Sequence, residues 1–169
     1  MKLPSKIKHF NFFLDGDNYV GRALEIEPPK FTRKMEEYRG GGMNAPLKMD
    51  MGLEGLEMSV TMGGLEAEMM RHMGACRHDA IKSRFAGSLA ADDSCDTYPL
   101  EIETTGRYEE IELPNAKSGE DTEHKFKLAL SYVRIIYNGT EVCEIDIPNM
   151  VEKWYGKDRL EEHKRNIGA

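Results

Sequence analysis

The chain of 169 residues reads as one mainly β domain, a sandwich or barrel, with one short central helix and one long extended arm. Three observations predict this. Apolar residues recur at every second position through several segments separated by turn residues. In the central part of the chain only one stretch, Leu65 to Met73, switches to a helical period, with Leu65, Met69 and Met73 on one face. One segment, residues 30–52, is too long, charged and glycine-rich to be an ordinary connection.

The elements follow in order. Phe10 to Leu14 reads as a strand, Asp15-Gly16-Asp17-Asn18 as a dense turn, and Tyr19 to Ile26 as the returning strand of a hairpin. Pro28-Pro29 ends it, because proline has no N–H for a ladder. The arm follows, with Gly40-Gly41-Gly42 at its tip; its apolar residues Met35, Tyr38, Met43 and Met49 argue against plain disorder. They fit a segment that orders against a neighbour. Leu56, Met58, Val60 and Met62 alternate with Glu57, Ser59 and Thr61, which is the pattern of a half-buried strand. Gly63-Gly64 closes it, and Gly74 is placed to cap the central helix.

Ile81 to Ala90 alternates again, with Ile81, Phe85 and Leu89 opposite Lys82 and Arg84. An acidic turn, residues 91–96, leads to a long strand over Tyr98 to Leu113, with Leu100 and Ile102 opposite Glu101 and Glu103; Gly106 predicts a bulge or bend inside it. After a polar loop, Lys125 to Tyr137 is the clearest strand. Its apolar set changes parity, from Phe126, Leu128, Leu130 and Tyr132 to Val133, Ile135 and Tyr137, which requires a bulge or two different environments. Asn138-Gly139 predicts a type I′ turn, and Thr140 to Ile147 returns until Pro148. The charged tail, residues 150–169, reads as a short docking helix with Trp154, Tyr155 and Leu160 as anchors.

Composition excludes several classes. The chain is 31% charged and 40% hydrophobic, neither disordered nor membrane-like. No apolar run approaches the roughly 20 residues of a membrane-spanning helix. The apolar stretch at Phe10 is too short for a secretory signal, so the expected site of synthesis and assembly is the cytoplasm. The net charge of −7, without a Lys/Arg run, is the reverse of a nucleic-acid-binding footprint. Cys76, Cys95 and Cys143 are odd in number and widely spaced, so they read as small apolar fillers rather than a disulfide framework.

No nucleophile elbow, P-loop, dinucleotide fingerprint or H-E-x-x-H occurs. His72, Cys76 and His78 lie close in sequence and, with a further ligand such as Cys95, could be metal ligands; surface histidines and a buried cysteine are the simpler reading. The pairs Glu36-Glu37, Asp92-Asp93, Glu109-Glu110 and Glu161-Glu162 read as solvated surface, since neighbours on a strand point to opposite faces. Met58, Met62, Met69 and Met73 have core spacing, whereas Met43, Met49 and Met51 suit adaptable packing against a partner. No catalytic residue, cofactor or metal is expected.

The arm carries a resemblance. Residues 29–54, PKFTRKMEEYRGGGMNAPLKMDMGLE, resemble the FII-type major tail tube proteins of contractile-tailed phages and R-type tailocins, with Pro28 where leucine is common in that family. The likeness continues through Phe12-Phe13-Leu14-Asp15-Gly16, Lys125-Phe126, Tyr132 to Gly139 and Val142 to Pro148, and is weakest in the C-terminal tail. It implies a tail-tube-type β-barrel or sandwich in one domain over residues 1–169, with hexameric rings stacked into a hollow tube. Strands of every subunit would join into one barrel lining a channel for DNA. The arm would make the inter-subunit contact, with Arg33, Met35, Tyr38, Gly41, Gly42, Met43, Pro46 and Met49 as the candidate residues. The implied partners are the sheath, baseplate, tail terminator and, in the lumen, a tape measure protein, with no membrane anchor. The implied location is the virion tail tube, assembled in the host bacterial cytoplasm. Three alternatives stand beside it: a tailocin or type VI secretion-like tube, a small metal enzyme using His72, Cys76 and His78, and a monomeric β-sandwich binding module.

Overall fold

Alternation sets which side chains turn inward, and the strands form where it holds. The structure, a computed structural model, describes residues 1–169. The strands are β1 (Lys6–Leu14), β2 (Asp17–Asn18), β3 (Ala23–Glu27), β4 (Arg33–Tyr38), β5 (Leu47–Leu53), β6 (Leu56–Met62), β7 (Ile81–Ala90), β8 (Thr97–Glu112), β9 (His124–Tyr137), β10 (Thr140–Asp146), β11 (Val151–Trp154) and β12 (Lys157–Asp158). A 3-10 turn spans Glu68–His72, and one α-helix, α1, spans Glu161–Ile167. No helix is long and apolar enough to cross a membrane.

All pairings are antiparallel. The long path runs β12-β11-β10-β9-β8-β7-β1-β2, and a branch leaves it where β6 joins β9 and β3 joins β6. The sheet does not close on itself. β9 is the fork: its first half pairs with β6 from His124 to Leu130, and its second half pairs with β10 from Tyr132 to Tyr137. Ser131 lies between them. It is skipped in the register against β8, where Thr105 faces Tyr132 and Gly106 faces Leu130. The parity change therefore resolves as a bulge at Ser131, whose carbonyl accepts the Ile147 N–H at 3.0 Å. Gly106 is required opposite it, because a Cβ there would sit 2.1 Å from the Ala129 carbonyl oxygen.

The core lies between the branches. Phe12 from β1, Met58, Val60 and Met62 from β6, Ile81 from β7, and Phe126 and Leu128 from β9 are fully or almost fully buried in one cluster. Each such side chain contributes about 1.5–3 kcal/mol by leaving water. Asn138 and Gly139 both take positive φ, at 49° and 79°, as the type I′ turn demands.

Four expectations are corrected. The return strand after Asp15-Gly16 is cut short: only Asp17–Asn18 pairs with β1, and β3 crosses to β6 instead. Tyr19 causes the break by turning into the core beside Phe12, with the Arg22 guanidinium 4.4 Å over its ring and Arg22 Nη2 donating to the Asn18 carbonyl. The central helix is a single 3-10 turn without a side-chain N-cap. Met69 is buried, but Leu65 and Met73 are 61% and 52% exposed, so only one of the three anchors reaches the core. Cys76 and Cys95 are exposed, and Cys143 alone is a buried filler. The tail adds β11 and β12 to the sheet edge before α1 begins; Trp154 is half-buried, while Tyr155 is exposed.

Candidate functional site

The branch builds a four-stranded sheet, β3-β6-β9-β8, with two different faces. One face carries Met58, Val60, Phe126, Leu128 and Tyr108 into the core. The other carries Glu25 and Glu27 from β3, Glu57, Ser59 and Thr61 from β6, Lys125 and Lys127 from β9, and Glu109, Glu110 and Glu112 from β8, with Glu123 beside them. Lys127 bridges Glu57 at 3.1 Å and Glu109 at 3.8 Å. The Glu57 hydrogen bond, with the Glu109 charge beside it, raises the pKa of the Lys127 ammonium. Seven glutamates share this face with Lys125, Lys127 and Arg107, which stands opposite Ala129, so the surface is acidic after pairing.

Both lateral edges of this sheet are open. β3 pairs only with β6. β8 pairs with β7 up to Gly106, opposite Ile81, leaving Arg107–Glu112 with β9 on one side and no strand on the other. Each antiparallel step reverses direction, so the two open edges run oppositely. Unpaired edges of this kind invite a further strand.

The arm is a β-hairpin, β4 and β5, paired with each other and with no other strand. Directly opposed residues share a face. Tyr38 opposite Leu47, together with Met49 and Met51 farther along β5, makes a mainly apolar face, all four 48–59% exposed, with Glu36 standing opposite Met49. Met35 opposite Asp50 and Glu37 opposite Lys48 make the polar one. The tip is built rather than slack: Arg39 donates to the Met43 and Asn44 carbonyls, both at 3.3 Å, and the Gly40 N–H donates to Met43 Sδ at 3.1 Å. At the root, Arg33 Nε donates to Asp50 Oδ2 at 2.7 Å and Nη1 to Glu152 Oε1 at 2.6 Å. Asp50 is held below the usual carboxylate range by the Gly52 N–H first and then by Arg33.

Of the residues singled out in the arm, Met35, Tyr38, Gly41, Gly42, Pro46 and Met49 are exposed. Met43 is half-buried in its own tip, and Arg33 is engaged within the chain. Leu47 was not singled out, although its spacing to Met49 and Met51 is the strand period that would have found it. The candidate metal ligands are not brought together: His72 Nε2 lies 3.1 Å from Asp15 Oδ2, Cys76 and Cys95 are exposed, and no three ligand-type side chains form a metal-holding group.

The fold recurs in contractile injection assemblies. A chain from the sheath-tube complex of the PVC extracellular contractile injection system in its extended state superposes with a TM-score of 0.57 at 14% identity, over 79% of this chain and 90% of that one. A chain from the tube-terminating cap of the anti-feeding prophage gives 0.58 at 16% identity, over 80% and 93%. At these identities the likeness is one of fold. The sequence is more specific. Residues 4–168 match the model of the phage tail tube protein FII family, and the chain belongs to it. It is 43% identical to the tail tube protein of Escherichia phage P2 over 99% of both chains, and 33% identical to the major tail tube protein of Serratia phage KSP20 over 94% of this chain and 92% of that one. Its role is structural, as a tail tube subunit.

Proposed function

We propose that this subunit forms hexameric rings stacked into a tube, with the β3-β6-β9-β8 sheet lining the channel. The carrying observation is that this sheet has an acidic outer face and two open edges of opposite direction. In a ring, β3 of one copy lies antiparallel to Arg107–Glu112 of the next. Lateral pairing then continues around the circle and no edge is left. Each inter-subunit backbone hydrogen bond adds about 1 kcal/mol net. An acidic wall repels DNA phosphates and lets the nucleic acid pass without adhering.

The apolar arm face, with Tyr38, Leu47 and Met49, packs on a neighbouring copy; Met35, Gly41, Gly42, Met43 and Pro46 shape the approach. Sheath, baseplate and tail terminator meet the outside and ends of the tube, and a tape measure protein occupies the lumen before DNA. Assembly takes place in the host cytoplasm and the product is part of the virion tail. Deleting Gly40 to Pro46 tests the arm. The variant is expected to keep a cooperative melt but to form no tubes by negative-stain microscopy, and tubes of normal length from it would refute the arm's role. The likeness to injection-system chains supports a second setting, a tailocin or secretion-type tube, which a gene neighbourhood without capsid and packaging genes would favour.

A further inference from the structure

We infer that the Arg33–Glu152 ion pair is the seat that sets the direction of the arm, and that β11, β12 and α1 form the frame that holds this seat. The inference rests on the tube reading, because a fixed direction matters only if the arm must meet a neighbour.

Nothing along the arm's length fixes its direction. β4 and β5 pair with no strand of the body, and a two-stranded hairpin is marginal on its own. Direction is therefore decided at the root. There the Glu54 N–H donates to the Thr32 carbonyl at 2.8 Å, which closes the hairpin but ties it only to itself. Attachment to the body comes from two kinds of contact: apolar packing, in which Phe31 meets the Trp154 ring edge-on at 5.1 Å and Leu53 lies against the core, and the ion pair of Arg33 with Glu152.

Glu152 makes the second contact costly to break. It is 6% exposed on β11, and a buried carboxylate needs compensation. Its side chain has two donors: Arg33 Nη1, and the Trp154 indole N–H at 3.1 Å. If the arm swings away, the charge keeps only the neutral indole. Arg33 also spans the root, with Nε on Asp50 of β5 and Nη1 on Glu152, so one guanidinium fork joins both strands of the arm to the body. A lysine ammonium lacks that planar two-sided geometry.

The rest of the tail holds the backbone around the same residue. Glu152 stands opposite Ile145 of β10. Its N–H donates to Asp158 Oδ1, which also accepts the Leu160 N–H at 2.9 Å, and its carbonyl accepts the Arg159 N–H at 2.8 Å. Lys164 of α1 reaches back to the Asn149 carbonyl at 2.9 Å. α1 itself buries no residue, so it adds nothing to the core. Its contact with the turn before β11 gives it a purpose. An arm already aimed loses less freedom on meeting a neighbour, which lowers the concentration needed to assemble.

The test uses the full chain with Glu152→Gln and Arg33→Lys, read by amide hydrogen exchange in dilute monomer and by the critical concentration for tubes. Glu152→Gln should speed exchange in β4 and β5 by about tenfold, and raise the critical concentration about as much, as expected when a charge-assisted hydrogen bond becomes a neutral one. Exchange in β7 to β9 should not change, and Arg33→Lys should fall between. Unchanged hairpin exchange in both variants would overturn the seat. So would a loosened hairpin with an unchanged critical concentration, or acceleration throughout the core. Wild-type protein that never polymerises would instead sink the tube reading, and the hairpin exchange would still decide whether the pair aims the arm.

Discussion

Replacing Gly106 with alanine adds one methyl group where the two branches of the sheet part. That Cβ would lie 2.1 Å from the Ala129 carbonyl oxygen and 3.0 Å from Leu130 Cα, both backbone atoms of β9. Ordinary contact begins near 3.4 Å, so β9 must retreat by more than 1 Å beside its own bulge. Overpacking of this kind costs about 1–3 kcal/mol, and the upper end applies because backbone cannot rotate away as a side chain does. Alanine recovers about 0.5–1 kcal/mol by restricting the unfolded chain. The net loss is therefore about 2 kcal/mol, and with a urea slope near 2 kcal/mol/M the midpoint falls by about 1 M. Urea unfolding of the monomer, followed by circular dichroism, measures this. Gly55→Ala, where a Cβ meets nothing within 4 Å, is the control and should raise the midpoint slightly, by about 0.2–0.5 M. A Gly106→Ala midpoint equal to that of wild type would refute the close approach of β8 and β9 at the fork.

Other outcomes are equally specific. His124 is fully buried, with Nδ1 accepting the Glu66 N–H at 3.2 Å, and burial lowers its pKa. The unfolded chain then takes up a proton below about pH 6.5 that the folded chain resists, so stability falls as pH drops from there toward the folded pKa. His124→Phe should flatten that part of the curve, and an unchanged slope in urea melts at pH 5 and pH 7 would contradict this. Cys76 and Cys95 should react with a thiol reagent in the native protein, whereas Cys143, its pKa pushed up to about 12 by burial, should wait for unfolding; three fast thiols would show that β10 is open. With Cys76 and Cys95 changed to serine, a gold label on Glu27→Cys should lie on the tube axis in averaged images, and label at the outer wall would reverse the proposed orientation of the sheet.

Much of this was legible before the fold was known, because it depends on near neighbours in sequence. Strand alternation in Leu56 to Met62 named the core face of β6 correctly. Asn138-Gly139 named its turn. The parity change after Tyr132 and the lone Gly106 each announced an irregularity, and the structure sets them opposite one another. The arm was recognisable, and its exposed apolar residues were found except Leu47. The helix was over-read, because Met69 alone carries the burial that three residues were expected to share.

The sequence by itself determined which faces turn inward, where the chain turns, and the family. Tertiary structure alone decided the lateral neighbours: that β3 crosses to β6 rather than β1, that two edges stay open, and that Arg33 finds Glu152 across 119 residues. The physical reason is a difference in what side chains encode. Their period specifies inside from outside, but strands join through backbone N–H and C=O groups that every residue shares, so the choice of partner follows from packing the whole core.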